Sequence, residues 1–293
     1  MTVVLAGPTG VGKTDLALDL AEHLGVDILS ADSRQAYRGL DIGTAKPTPT
    51  QRARVRHHWI DVLDVGQPTS AGLFARVFER LASSGPPPLV VGGSTLYVDA
   101  VVRGLADLPE VAPEVAAAAF AETATPEGRA RLFAELSAAD PAAAATLDPS
   151  KTQRLARLVG LLRATGRAPS AWWAEARLPR SDVRLFVLTR PRAELYERIE
   201  ARVDQMLADG LVDENRRLLA SGCAPDAPPL RTIGYQEPMA FLRGEISASE
   251  MAQRLKQNTR RYAKRQLTWF RRYSEAIWID ADPAPLSEVL ARL

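Results

Sequence analysis

The chain has 293 residues, 46% hydrophobic and 25% charged, with a formal net charge of +2; this is the make-up of an ordinary globular protein with one large domain or two modest ones. Its single cysteine, Cys223, excludes a disulfide framework and a thiolate metal cluster. No apolar run approaches the ~18 residues of a membrane span, and Val3–Ala6 is too short, and lacks a preceding basic segment, to read as a signal peptide, so a cytoplasmic protein without membrane contact is expected.

In chain order, Thr2–Ala6 is a short β-branched apolar run followed by a Gly-rich turn, and Asp15–Ala21 then takes helical spacing. Asp27–Ser30 reads as a second strand, Trp59–Val62 as a third, Pro88–Val91 as a fourth stopped by Gly92-Gly93, Arg184–Leu188 as a fifth and Ala276–Ile279 as a sixth. Helical patterns separate most of them, and that alternation predicts a parallel sheet covered on both faces. The span 109–180 differs: it is rich in Ala, Leu, Glu and Arg, carries no convincing strand, and is cut by Pro109, Pro113, Pro126, Pro141, Pro149 and Pro169 into several short helices. The expected organisation is an α/β core over 1–108 and 181–293 and an all-helical insertion over 109–180.

Gly7-Pro8-Thr9-Gly10-Val11-Gly12-Lys13-Thr14 fits G-x-x-x-x-G-K-T between a strand and a helix, the context that makes the motif a phosphate cradle. The glycines let the backbone turn so that its N–H groups face an anion, and the helix that follows presents its positive end. Lys13 adds a point charge, and Thr14 can hold a Mg²⁺ that bridges phosphate oxygens. The expected fold is therefore a P-loop NTPase-like parallel sheet with flanking helices. The cargo is narrowed by what is missing. The strand before Gly92-Gly93 does not end in the Asp of a nucleotide hydrolase, neither Asn215 nor Asn258 begins Asn-Lys-x-Asp, and no G-x-G-x-x-G turn follows a strand. A small-molecule kinase, or a transferase with a diphosphate leaving group, remains.

Asp32 and Ser33 follow the second strand, and Ser94 follows Gly92-Gly93; all three lie at strand carboxyl ends, where open parallel sheets bind their ligands. Asp32 is a candidate general base, or else a cap or loop hydrogen-bonding residue. Arg231 is placed to clamp phosphate oxygens, or else is a solvated arginine. Met251–Tyr273 reads as an amphipathic helix with Ala252, Leu255, Thr259, Tyr262, Gln266, Trp269 and Tyr273 on one face. It holds eight Arg or Lys and no Asp or Glu, which points to a phosphate backbone as partner, or else is a merely basic surface. Lys151–Arg157 is a second basic stretch; Trp172-Trp173 could stack bases but is expected to pack in a core or interface, and His57-His58 is expected to be structural.

Together these strings resemble the bacterial tRNA dimethylallyltransferases over nearly the whole chain. The resemblance rests on the phosphate loop, on Asp32–Pro47 with its Asp41-Ile42-Gly43-Thr44-Ala45-Lys46-Pro47 string, and on Gly92–Tyr97. Gln153–Arg157, Arg231–Tyr235 and Lys264–Arg271 complete it. It implies transfer of a prenyl group from dimethylallyl diphosphate to the exocyclic amine of the adenosine 3′ to the anticodon, in tRNAs reading U-initial codons. Gly7, Thr9, Gly10, Val11, Gly12, Lys13, Thr14 and Arg231 would hold the donor, with Mg²⁺ at Thr14. Asp32 would take the amine proton, with Ser94 near the reacting groups. Asp32, Ser33, Arg34, Gln35, Ser94, Gln153, Arg154, Leu155, Ala156, Arg157, Lys264, Arg265 and Arg271 would meet the anticodon stem-loop, and the protein would act as a monomer. Two positions depart from the pattern: Ser94 stands where the family usually has Thr, and Ala116 where it often has Arg. A free-adenylate isopentenyltransferase shares the loop but gives no reason for the insertion or the basic helix. A kinase would instead release ADP without a prenyl donor, and a pure RNA-binding module would have no transfer to lose.

Overall fold

The computed structural model describes residues 1–105, 108–148, 150–174, 180–282 and 285–293. The chain divides into two compact units, Met1–Val102 with Pro179–Leu293, and Arg103–Leu178. In the first unit, in chain order, come β1 (Thr2–Ala6), α1 (Lys13–Leu24), β2 (Ile28–Ser30), α2 (Pro49–Arg54), β3 (His57–His58), α3 (Ala71–Ser84), β4 (Leu89–Gly92) and α4 (Thr95–Val102). The second unit supplies α5 (Pro113–Glu122), α6 (Pro126–Ala139), α7 (Pro141–Ala145), α8 (Thr152–Thr165) and α9 (Pro169–Ala174). The first unit then resumes with β5 (Val183–Thr189), α10 (Arg192–Ala208), α11 (Leu211–Ala220), α12 (Gln236–Leu242), α13 (Ala248–Phe270), β6 (Ile277–Asp280) and α14 (Pro285–Ala291).

Among the described residues the sheet has six strands in the order β3-β2-β4-β1-β5-β6, every neighbouring pair parallel. β1 is at the centre. Its successive residues point to opposite faces, so Val3 and Leu5 enter one apolar cluster and Val4 and Ala6 the other. A strand buried on both sides has no polar positions to spare, which is why it reads as a continuous apolar run. α1, α10 and α14 pack on the first face, with Leu16, Leu20, Ile199 and Val289; α3 and α4 cover the second, with Phe74, Phe78, Val98 and Val101.

Three expectations shift. The third strand is at His57–His58, not Trp59–Val62, because Trp59 (φ 65°) and Asp61 (φ 54°) take left-handed backbone that cannot continue a strand. β4 ends on Gly92, one residue later than expected. α13 starts at Ala248, where the Ser247 hydroxyl accepts the Glu250 N–H at 3.2 Å, and ends at Phe270. Its buried face is Met251, Leu255, Ala263, Gln266 and Phe270. Thr259, Tyr262 and Trp269 sit at its margins.

In the second unit Pro113, Pro126, Pro141 and Pro169 each open a helix, where a missing N–H costs nothing; Pro149 lies outside the described residues. The core joins Leu132 and Leu136 to Ala143, Leu147, Leu155, Leu158 and Val159, with Trp173 against it. Asp140 caps α7 through the Ala143 N–H and accepts both the N–H and the hydroxyl of Ser170, tying α7 to α9.

Candidate active site

The phosphate loop needs its glycines on both conformational and steric grounds. Gly10 (φ 82°) and Gly12 (φ 106°) are left-handed, and a Cβ on Gly7 would stand 2.8 Å from the Leu188 carbonyl oxygen. Gly12 is the N-cap of α1 and brings no side chain to the first N–H groups, which stay available to an anion. Two arginines hold the loop from behind: Arg190 Nε donates to the Val11 carbonyl at 2.8 Å and Arg198 Nε to the Gly10 carbonyl at 3.0 Å. Lys13 folds back, its Nζ donating to the carbonyls of Gly7 (3.0 Å) and Pro8 (2.8 Å). Burial, and then the repulsion of Arg202, bring its ammonium down to about 7 against the attraction of Asp32.

Two cavities meet beside this loop. One, of about 530 Å³, is lined by Gly10, Gly12, Lys13, Thr14, Gln35 and Gln266. The other, of about 450 Å³, is lined by Ser33, Arg34, Arg231, Ile233, Thr259 and Arg265. Thr9, Asp32, Thr44, Ala45, Arg202 and Tyr262 line both. Asp32 Oδ1 accepts the N–H groups of Arg34 (2.8 Å) and Gln35 (3.4 Å). The carboxylate is thus both a loop anchor and a group at the junction of the cavities. Burial and then the Asp32 charge push the Tyr262 phenol well above its ordinary value, so it stays protonated and can donate. Burial lowers the Arg202 guanidinium against the pull of Asp32, and Arg202 nonetheless stays a cation.

The Asp41–Pro47 string builds a wall. Glu214 is buried, and its carboxylate accepts the N–H groups of Asp41 (3.2 Å), Ile42 (2.7 Å) and Gly43 (3.2 Å), and the Tyr235 hydroxyl (2.8 Å). Lys46 Nζ is buried and donates to the Tyr37 carbonyl (2.9 Å), Asp41 (2.6 Å) and Asp61 (2.5 Å). A side chain on Gly43 would run into the Tyr235 ring at 2.6 Å. Arg231–Tyr235 therefore serves chiefly as the packing partner of that wall. Arg231 itself is exposed, pairs with Asp226 at 2.9 Å and lines the second cavity, which it shares with Thr9 of the phosphate loop, but not the first. Arg202, whose charge acts on Lys13, lines both cavities, and Arg198 lines the first.

The other expected residues are dispersed. Val11 is buried beneath the loop. Ser94 is absent from the lining of both cavities: its N–H donates to the Ala31 carbonyl, and its own carbonyl accepts from Tyr97 and Val98 at the start of α4. Gln35 is spent on structure, accepting from the Ser30 hydroxyl and donating to the carbonyls of Thr44 and Ala45. On α8, Gln153, Arg154 and Arg157 are exposed, but Leu155, which packs in the unit's own core, and Ala156 are buried and offer no side chain to an RNA. Lys264 and Arg271 are exposed, and Arg265 lines the second cavity. The basic helix is less bare of acids than its sequence implies: Arg254 pairs with Glu250 (2.5 Å) on the helix's own first turn, Lys256 with Asp204 (2.7 Å), and Arg260 with Glu200. The acids come from α10 and from just before the counted stretch.

Arg198 and Arg202 stand in sequence among Glu197, Glu200 and Asp204, which masks them as members of a mixed-charge helix face; their four-residue spacing on a helix is the one signal that sets them together. Glu214 carried none. No group of three or more His, Cys, Asp or Glu able to hold a metal occurs among the described residues. A divalent cation would rest on the Thr14 hydroxyl and on phosphate oxygens brought by a ligand, the usual way Mg²⁺ is held.

The model of the IPP transferase family matches residues 35–273. A tRNA dimethylallyltransferase of Salinibacter ruber is 45% identical over 281 residues, covering 94% of this chain and 86% of that protein. The crystal structure of the full-length tRNA isopentenylpyrophosphate transferase from Bacillus halodurans superposes with a TM-score of 0.71 at 34% identity, covering 99% of this chain and 93% of that one. A eukaryotic dimethylallyltransferase caught acting on tRNA, 24% identical, shares the fold with a TM-score of 0.84, covering 99% of this chain and 77% of that one. On the family match and the identity across nearly its whole length, this chain belongs to the IPP transferase family.

Proposed function

We propose that the protein transfers the dimethylallyl group of dimethylallyl diphosphate to the exocyclic amine of the adenosine 3′ to the anticodon, in tRNAs reading U-initial codons, and releases diphosphate. The observation that carries this reading is the position of Asp32. It stands where a cavity lined by a phosphate loop meets a cavity lined by Arg34, Arg231 and Arg265. One cavity suits a diphosphate and the other a polyanion's base, and a proton acceptor stands between them.

The adenosine leaves its stack to enter the second cavity. Its nitrogen attacks the prenyl carbon, the C–O bond to diphosphate breaks as the C–N bond forms, and Asp32 takes the amine proton. Lys13, Arg202 and the N-terminus of α1 stabilise the charge that gathers on the leaving diphosphate. Thr14 would hold a Mg²⁺, which would supply further positive charge to neutralise the same oxygens. Tyr262 donates a hydrogen bond at the junction. Arg34, Arg265, Lys264 and Arg271 meet the RNA backbone, and Gln153, Arg154 and Arg157 of the helical unit contact the anticodon stem-loop. In this reading the protein works on tRNA as a monomer in the cytoplasm; no helix among the described residues is long and apolar enough to cross a membrane.

Purified chain, Mg²⁺, labelled dimethylallyl diphosphate and unmodified tRNA should yield labelled tRNA, with AMP and ATP as control acceptors. Asp32→Asn should lower transfer by ~10²-fold or more and leave tRNA binding largely intact. Label on AMP in preference to tRNA would refute the proposed acceptor.

A further inference from the structure

Gln266 is a buried amide, 2% exposed, on the packed face of α13. Its two ends are both engaged: Oε1 accepts the Thr9 N–H at 3.0 Å, and Nε2 donates to the Gly93 carbonyl at 2.7 Å. Thr9 N–H and the Pro8 carbonyl belong to one peptide unit, and the Pro8 carbonyl accepts from Lys13 Nζ. That peptide is thus gripped on one edge by Gln266 and on the other by the lysine that must turn to an incoming anion. The neighbouring Arg265 lines the second cavity. Gly93 is matched to the amide: a Cβ there would stand 2.2 Å from Nε2, although its backbone conformation would tolerate alanine.

We propose that Gln266 is a positioning residue for donor binding, holding the Pro8–Thr9 peptide and the end of β4 so that the phosphate loop keeps its shape when Lys13 leaves the Gly7 and Pro8 carbonyls for the diphosphate. This rests on the reading of the first cavity as the donor site. Gln266 touches no reacting atom. It acts through the loop, and it ties the helix that meets RNA on one side to the donor loop on the other.

The test uses the full chain at saturating tRNA, with dimethylallyl diphosphate varied, for wild type, Gln266→Met, Gln266→Glu and Gly93→Ala. Melting temperature, tRNA Kd and calorimetric Kd for inorganic diphosphate are measured on each. Losing a buried, doubly bonded amide should raise donor KM and diphosphate Kd about tenfold or more, with tRNA Kd within about twofold. In Gln266→Glu a protonated carboxyl can again donate to Gly93, so the ratio of variant to wild-type KM should fall as pH is lowered; a purely structural defect gives no such recovery. Unchanged donor KM and diphosphate Kd in folded Gln266→Met and Gln266→Glu would overturn the proposal, as would a fall in kcat alone that tracks melting temperature. If Gln266→Met does not fold, the pH series on Gln266→Glu decides. A wild type that binds diphosphate but transfers no prenyl group would overturn the transfer reaction instead, and the diphosphate affinities would still judge Gln266.

Discussion

Diphosphate binding should draw a proton from solvent, and Lys13 is where it goes. Burial first, and the repulsion of Arg202 second, bring its ammonium from 10.5 to about 7. One pH unit above that value, at pH 8, only about a tenth of the chains carry the charge. An anion against Nζ favours the charged form. If the group returns to its ordinary value in the complex, each binding event at pH 8 takes up about 0.9 proton. The sign follows: the protonated lysine is the binding form, so affinity is flat below about 7 and falls by up to about tenfold per pH unit above it. Titration calorimetry in buffers of different ionisation enthalpy measures the uptake directly. Lys13→Arg, charged throughout, gives the contribution of the diphosphate's own protonation. Equal uptake by wild type and Lys13→Arg would refute the reasoning.

The same shift burdens the free protein. The unfolded chain binds more protons than the folded one between about pH 7 and 10.5, so stability gained by removing Lys13 is full at or below pH 7 and vanishes toward pH 10.5. Lys13→Met, after loss of two hydrogen bonds worth ~1 kcal/mol each, should stabilise by roughly 2–3 kcal/mol at pH 7 in denaturant titration, while abolishing donor binding. Arg202→Gln should weaken diphosphate binding by ~1.5–3 kcal/mol, whereas Arg231→Gln should affect it far less; calorimetry on both separates the two arginines. Glu214→Ala strands three backbone N–H groups and the Tyr235 hydroxyl and should cost at least ~3 kcal/mol by denaturant unfolding. Arg34→Ala and Arg265→Ala should each lower the salt slope of tRNA binding by about one, read by filter binding over a salt series.

The loop at Gly7–Thr14 and the place of Asp32 at a strand end were legible because each follows from local pattern and from the rule that ligands of parallel sheets sit at carboxyl ends. Five strands were legible within a residue or two for the same reason. His57–His58 was not, since the left-handed Trp59 and Asp61 that displace the strand have no propensity signature. Arg202 and Gln266 were hidden by their neighbours, one among carboxylates and the other on a face read as apolar packing. The pairing of Arg231 with Asp226 was not legible, because a sequence shows that an arginine is near a turn and says nothing about which acid stands beside it. Leu155 and Ala156 were carried along with a motif whose exposed members are Gln153, Arg154 and Arg157.

The Arg180 N–H donates to the Val102 carbonyl at 2.9 Å, so the core closes on itself at the point where the second unit leaves and returns. The ribosome meets the consequence first. β1, the central strand, has β4 as a partner early, but its other edge stays open until β5 emerges after the whole of Arg103–Leu178 has been made. A nascent chain in that interval exposes an apolar strand edge. Helices α5 to α9 form from contacts near in sequence, which is fast; a tether that has already collapsed has less chain entropy to lose when β5 finally docks.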